Sequence, residues 1–381
     1  MTDPPTTTPQ GRPRARSLGI PFEGATGPNN AITDVPGCEV GYVTLIEGTD
    51  VRTGATAILP RGQSEVADPC AAGFHSLNGN GEMTGVSWIA ESGSMAGPIV
   101  LTNTHAIGTA HAGVVAWTVR RHPGVADSWL LPVVAETWDG YLNDINGGHL
   151  SIEHVVEAIG SAAGGPVEEG SVGGGTGMCC YGYKGGSGTA SRVVTYGDAA
   201  HVVGVFVQAN FGSRHELTVA GVPIGRSLID DDPMSEHFSR LRGVGSVIGI
   251  VATDAPLLSH QCQALARRVP LGLARTGTTG SHFSGDLFLA VSTANPGAFV
   301  SGPAGLLEDH TGQLSTIRFQ PWATIDALFE AVVQSTEEAV VDALVANAEM
   351  IGIEGHRMPS MPREAVVGLL RDRGVIGAPT G

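Results

Sequence analysis

Gly243-Val244-Gly245-Ser246-Val247-Ile248-Gly249-Ile250-Val251-Ala252-Thr253-Asp254 is a loop that ends in Gly-Ser and passes directly into an apolar run. Residues 246–253 (SVIGIVAT) are short and rich in β-branched side chains, and read as a buried strand. The plain reading of Ser246 is a serine at a strand start. A second reading stands beside it. If the chain is cut between Gly245 and Ser246, Ser246 becomes an N-terminal residue carrying both a nucleophile and a base. Its hydroxyl attacks and its own α-amine takes the proton. A free α-amine titrates at about 7.7–8.0, so much of it is in the right state near neutral pH. Such a nucleophile needs no histidine. Glycine at 245 would permit the strained backbone that attack on the preceding carbonyl requires.

Working outward, residues 55–60 (ATAILP), 98–102 (PIVLT), 202–209 (VVGVFVQA) and 285–293 (GDLFLAVST) also read as buried strands. Tyr196-Gly197-Asp198-Ala199 is a hairpin turn leading into 201–209. Helices are expected at 104–120, stopped by His122-Pro123-Gly124, at 151–162, and at 257–269 with Pro256 in the first turn. A further helix is expected at 336–351, with Ser335 and Glu338 as a capping box and Gly352 as its stop. Together these make an α/β or α+β mixture with a large sheet component. Residues 227–243 (SLIDDDPMSEHFSRLRG) are polar and stand just before the strand at 246, as an exposed loop or as a flexible segment ending at a processing site.

The composition narrows the class. Charged residues are 15% of the chain against an ordinary 25% or so, and the net charge is −16, so no basic stripe for nucleic acid is present. The 42% hydrophobic content is enough for a sizeable core. Met1 to Gly19 lack the apolar run of a secretory signal, which reads as a cytoplasmic protein with a loose N-terminal tail. No stretch approaches the roughly 18 apolar residues of a membrane helix. The five cysteines (Cys38, Cys70, Cys179, Cys180, Cys262) are odd in number and form no CxxC, so they read as structural thiols.

Several familiar sites are excluded. No GxSxG elbow, GxxxxGK[ST] loop or HExxH motif occurs. His105 and His111 are six apart, which places them on different faces of a helix. The Gly-rich run Gly170–Gly188 contains Lys184 and reads as tight turns and close backbone packing, with an anion nest as the alternative.

The blocks NNAITDVPGCEVGYVTLIEG (29–48), GNGEMTGVSWIAESG (79–93), LTNTHAIG (101–108), VVAETWDGYLNDING (133–147), GSVGGGTGM (170–178), KGGSGTASR (184–192), VQANFG (207–212), GSVIGIVATDAPL (245–257) and LGLARTG (271–277) resemble the DmpA family. These are self-cleaving serine aminopeptidases, including L-aminopeptidase/D-amidase-esterases and β-peptidyl aminopeptidases. The resemblance runs from about Arg14 to Arg357. It implies a four-layer αββα sandwich like that of the N-terminal-nucleophile hydrolases, with a different strand connectivity. After the flexible tail (1–16) read from composition, it implies a single domain (17–381), cut between Gly245 and Ser246. The α chain (1–245) and β chain (246–381) would stay together non-covalently, commonly as a homotetramer. The substrates implied are small peptides, amides or esters with a free amine, with no metal or organic cofactor, no nucleic acid and no membrane.

Residue by residue, the resemblance makes Ser246 the nucleophile and Asn210 an oxyanion-hole donor, and sets Tyr141 near the acyl-binding side. Ser284 and Asp286 match a serine and an acidic residue beside the nucleophile; two apart on a strand, they face the same way and would hold the Ser246 amine. β-Peptidyl members carry Glu where this chain has Asp286, one methylene shorter. An aminopeptidase must compensate the desolvated substrate ammonium, and Glu136 is the carboxylate chosen for this, with Asp139 and Asp144 as rivals. Asn78, Asn80 and Glu82 are expected near the site without assigned roles. Acyltransferases of the ornithine acetyltransferase kind have a related fold but cut before Thr, which Ser246 argues against. A non-catalytic relative would remain an uncut chain of 381 residues.

Overall fold

The computed structural model describes residues 4–126, 129–238, 245–299 and 314–377. Two sheets carry the fold. The first joins β1 (Glu39–Glu47), β2 (Val51–Leu59), β5 (Ile99–Asn103) and β6 (Val133–Thr137) in the order β1-β2-β5-β6. The second joins β3 (Cys70–Gly79), β4 (Ser94–Met95), β9 (Gly186–Tyr196), β10 (Ala199–Asn210), β11 (Gly245–Thr253) and β12 (Ser284–Ser292) in the order β4-β3-β12-β11-β10-β9. A two-residue ladder pairs β7 (Cys179–Cys180) with β8 (Tyr183–Lys184). The helices are α1 (Val86–Ser92), α2 (Ile107–Arg121), α3 (Pro123–Ala126), α4 (Ile152–Gly160), α5 (Pro233–His237), α6 (Ser259–Ala266), α7 (Val269–Arg275), α8 (Asp326–Val345) and α9 (Arg363–Asp372).

Strand alternation builds the layers. Ile248, Ile250 and Ala252 of β11 pack with Phe206, Leu287 and Leu289 against Ile58, Ile99, Leu101 and Ala135 of the first sheet, forming the core between the sheets. Val247 and Val251 point the other way, onto Leu265 of α6, Leu273 of α7 and Val340 of α8. On the outer face of the first sheet, Ala55, Ala57, Val100 and Val134 pack on Val114 and Trp117 of α2 and Val155 and Ile159 of α4. This is the expected αββα sandwich. A strand buried on both faces has no room for polar alternation, which is why 246–253 reads as a continuous apolar run. Each fully buried Ile or Phe here contributes roughly 1.5–3 kcal/mol relative to exposure. Among the described residues, no helix is long and apolar enough to cross a membrane.

The apolar strands lie within a few residues of their expected places. The hairpin is also as expected: Tyr196 pairs with Ala199 across Gly197-Asp198, with Gly197 at φ 58°. Three expectations need correcting. The run 257–269 is not one helix but the end of α6 and the start of α7, and α6 begins at Ser259 rather than beside Pro256. The helix read as 336–351 is α8, which starts ten residues earlier and stops at Val345. Ser335 and Glu338 lie in its interior, fully buried, and Glu338 binds Arg16, Arg192 and Asn30 rather than capping anything. Gly352 is no helix stop: a side chain there would meet the Leu142 carbonyl oxygen at 2.0 Å.

The third correction concerns the N-terminal segment. Far from being loose, Arg14 and Ala15 are buried. The Arg14 guanidinium reaches Asp342 at 2.9 Å and Glu169 at 2.8 Å, and the Ala15 N–H donates to Asp342 at 2.6 Å. Of the polar run 227–243, residues 239–243 lie outside the described residues. The remainder includes α5, with Asp232 as its N-cap and Pro233 in its first turn. All five cysteines are buried and free.

Candidate active site

Strand register decides what surrounds Ser246. Across β10 its antiparallel partner is Asn210, and along the parallel β12 its neighbour is Gly285. Its side chain shares the face of Ile248 and Ile250, so it points between the two sheets toward the end of β6. There the Ser246 Oγ accepts the Trp138 N–H at 3.3 Å and lies 3.5 Å from Asn210 Nδ2. The Asn210 amide is held at both ends. Its Oδ1 accepts the Cys179 N–H at 2.8 Å and its Nδ2 donates to the Trp138 carbonyl at 2.9 Å. A donor on the oxygen and an acceptor on the nitrogen fix which way the amide faces, and the nitrogen faces Ser246.

Gly245 precedes this serine for a reason other than the one expected. Its φ is not in the left-handed region. A Cβ there would sit 2.5 Å from the Asn210 carbonyl oxygen and 2.9 Å from Phe211 Cα, so close approach of β10 selects glycine.

Ser284 and Asp286 are brought to the same end of the sheet but onto the opposite face from the Ser246 hydroxyl, since it is Gly285 that pairs with Ser246. Ser284 Oγ donates to Asp286 Oδ1 at 2.5 Å and Asn78 Nδ2 to Asp286 Oδ2 at 2.9 Å. Burial raises the Asp286 carboxyl, while these donors and the Val247 N–H pull the other way. Register places Asp286 beside Val247 of β11, one residue after Ser246. Asn80 Nδ2 closes the turn by donating to the Phe283 carbonyl at 2.8 Å.

Glu136, at the end of β6, is 3% exposed. Its Oε1 accepts the Glu82 N–H at 2.9 Å, and its Oε2 takes the Thr104 hydroxyl. Burial raises its carboxyl above the ordinary range. Gly81 lies between this carboxylate and β12, at the residue paired with Ser246: a Cβ on it would be 3.3 Å from Glu136 Oε1 and 3.2 Å from Gly285 Cα. Asp139 is also buried, but it faces Asn143, whose Nδ2 donates to it at 3.1 Å, and burial pushes it up to about 7. Asp144 is partly exposed and faces His149 at 3.5 Å, away from these groups. Of the three candidate carboxylates, Glu136 is the one beside the Gly81–Gly285 contact.

Tyr141 lies in an aromatic cluster next to Trp138. Its ring stacks on His356 at 4.7 Å and packs near Phe238 at 6.0 Å, and Phe238 in turn meets Trp138 at 5.9 Å. Its hydroxyl donates to the Arg357 carbonyl at 3.4 Å, and burial pushes it up to about 12. His105 bonds Asn146 at 3.0 Å. The Gly-rich run packs as close-contact backbone: a Cβ on Gly188 would meet the Ala339 carbonyl oxygen of α8 at 1.9 Å. Sequence reasoning missed the Trp138 and Cys179 N–H groups. These are main-chain donors, which any residue type supplies, so no letter in the sequence marks them.

The profile of peptidase family S58 matches residues 30–358. The chain belongs to peptidase family S58. Its relatives in the family include the β-peptidyl aminopeptidase BapA of Sphingosinicella microcystinivorans, 44% identical over 94% of this chain and 92% of the relative. Among solved structures it is similar to the L-aminopeptidase D-Ala-esterase/amidase of Ochrobactrum anthropi, at 44% identity and TM-score 0.89, covering 96% of this chain and all of that one. That protein is described as a prototype of the serine aminopeptidases and a variant of the Ntn-hydrolase fold. A Burkholderia β-aminopeptidase is 43% identical, with TM-score 0.84 over 95% of this chain and 99% of that chain. This S58 member is accordingly a hydrolase of the serine aminopeptidase class.

Proposed function

We propose that this aminopeptidase activates itself by cutting its Gly245–Ser246 bond and then works through the freed N-terminal Ser246. The reading rests on one observation: the Ser246 hydroxyl sits at a strand start, between the Trp138 N–H and the Asn210 amide. In the cut, the Ser246 hydroxyl attacks the Gly245 carbonyl carbon. The peptide C–N bond breaks and leaves an ester and a free α-amine, and water hydrolyses the ester to a Gly245 carboxylate. The chains 1–245 and 246–381 then stay together because β11 remains paired with β10, and β12 with β3, across the cut. A homotetramer is proposed for the assembly, to be read by light scattering.

In turnover, the α-amine takes the hydroxyl proton as Oγ attacks the substrate carbonyl. Asn210 Nδ2 donates to the developing oxyanion, a contribution of several kcal/mol in a site of this kind. The leaving amine departs with a proton, and water releases the acyl group as a carboxylate. Asp286, held by Ser284 and Asn78, steadies the amine end of β11. Glu136 receives the substrate's ammonium as the partner that burial of such a charge requires. Tyr141 and its aromatic neighbours flank the acyl side. The substrates are amides, esters and short peptides with a free amine. α- and β-aminoacyl anilides of both hands read the preference, to which the pocket and the shorter Asp286 contribute.

Intact mass and a denaturing gel of the wild type beside Ser246→Ala test this. Two fragments meeting at 245/246, absent from Ser246→Ala together with all anilide hydrolysis, are expected. A single uncut wild-type chain that still hydrolyses anilides would overturn the N-terminal amine as base.

A further inference from the structure

Lys184 is a fully buried lysine to which the proposed chemistry gives no part. Among the described residues no carboxylate pairs with it. Its Nζ instead donates to main-chain oxygens, Met178 and Gly185 at 2.7 Å each and Gly175 at 3.5 Å. Burial pulls it down to about 8, which leaves most of it charged at neutral pH. A buried ammonium without a counter-ion is costly, and a methionine would fill a similar volume without that cost.

What the charge acts on is specific. The Met178 carbonyl belongs to the Met178–Cys179 peptide, and the N–H of that same peptide donates to Asn210 Oδ1 at 2.8 Å. The other end of the Asn210 amide lies 3.5 Å from the Ser246 hydroxyl. Lys184 Nζ, the peptide, the Asn210 amide and Ser246 Oγ therefore form one unbroken chain of donors and acceptors. Polarity runs the same way through every member. A cation on the carbonyl makes the peptide N–H a better donor, and a stronger donor on Asn210 Oδ1 makes Nδ2–H a better one.

The scaffold around this chain is fixed. Cys179 and Lys184 are ladder partners in β7 and β8, the Gly185 N–H also donates to the Met178 carbonyl at 2.9 Å, and the Lys184 N–H donates to the Pro359 carbonyl at 2.8 Å. Asn347 Nδ2 holds the Gly185 carbonyl at 2.8 Å.

We propose that Lys184 is a positioning residue for acyl transfer: through the Met178–Cys179 peptide its ammonium aligns and polarises the Asn210 amide that faces Ser246. This rests on the reading of Ser246 and Asn210 given above.

The test is a cycle of Lys184→Met and Lys184→Arg, each made in the wild type and in Asn210→Ala. Anilide kinetics are measured on folded, processed protein. Acting one step behind the oxyanion donor, Lys184→Met is expected to lower kcat roughly ten-fold with KM within about two-fold, and Lys184→Arg to restore kcat to within about three-fold. In the Asn210→Ala background Lys184→Met should cost nothing further, because the group it acts through is gone. An unchanged kcat in Lys184→Met overturns the proposal. So does an equal loss in both backgrounds. Failure of both Lys184 variants to fold assigns the lysine to the core alone and overturns it too. A processed wild type that hydrolyses no anilide, ester or short peptide is a distinct result, and removes the functional reading along with this one.

Discussion

Around Ser246, in the layer between the sheets, the groups nearest the hydroxyl are neutral: the Trp138 N–H and the Asn210 amide, with the Cys179 N–H behind it. On the other face of the same sheet, where β9 meets α8, Arg14, Arg16 and Arg192 meet Glu169, Glu338 and Asp342. Both centres are buried and both are held by side chains from distant parts of the chain. The ionic centre is matched charge for charge at 2.5–2.9 Å, which fixes geometry at a large desolvation cost. Burial pushes Asp342 up to about 6, whereas Glu338, buried too, is held below its ordinary value by Arg16 and Arg192. The neutral centre holds its hydroxyl loosely, at 3.3 and 3.5 Å, and leaves it free to react. The two differ in what they hold: one keeps residues 14–16 and α8 together across the proposed cut, the other presents the hydroxyl on which the proposed chemistry rests.

The most direct way to break this contrast is Asn210→Ala. It removes a neutral donor and leaves all six charges in place. On the proposed mechanism the expected loss is about 10²–10³-fold in kcat with little change in KM, because the donor would serve the oxyanion rather than the bound substrate. The proposed self-cleavage should slow as well, since the Gly245 carbonyl would pass through the same chemistry. Steady-state kinetics and the time course of fragment appearance read both. A large loss of thermal stability with kcat preserved would reverse the assignment of the two centres.

Glu338→Ala tests the other side. It strands the Arg192 guanidinium, which is buried between β9 and α8, and unpairs Arg16 and Asn30. Breaking a buried pair in this way costs about 3–5 kcal/mol. Urea unfolding should show that loss, while the folded fraction keeps kcat within about two-fold. Equal stability would remove the structural role given to the ionic centre, and a fall in kcat of the folded protein would make that centre part of the active site.

The contrast also separates what the sequence reveals from what it hides. Strands buried on both faces read directly, because 202–209 and 246–253 have no polar face to confuse the period. The places of the Gly-Ser step and of Asn210 were legible for the same reason: each stands at the end of such a strand. The ionic centre was illegible. Its glutamate lies in the middle of α8, three residues after a serine, and that spacing imitates a cap. Two of its arginines, Arg14 and Arg16, lie in a segment whose composition reads as a loose tail. A buried charge looks like a surface charge until its partner is known, and here the partners are some 320 residues apart, as Arg16 and Glu338 are. On the neutral side the hidden members were main-chain groups. The opposite face of Ser284 and Asp286 followed from register, which pairs Gly285 rather than either neighbour with Ser246.

The smallest expected effect sharpens the comparison at its one exception, since Asp139 is a titratable acid next to the neutral centre. It follows Trp138, whose N–H holds the Ser246 hydroxyl. Burial pushes Asp139 up to about 7, with Thr53, Asn143 and Asn103 pulling the other way. The unfolded chain releases this proton near pH 4. Between about pH 4 and 7 the folded chain therefore binds more protons than the unfolded one, and stability falls as pH rises through that window. Asp139→Asn cannot titrate but can still accept from the Asn143 amide. Its melting temperature relative to wild type should climb steadily from pH 4 to pH 7 and level off above. A constant difference across that range would mean that Asp139 stays ionised and that the neutral centre carries a charge after all.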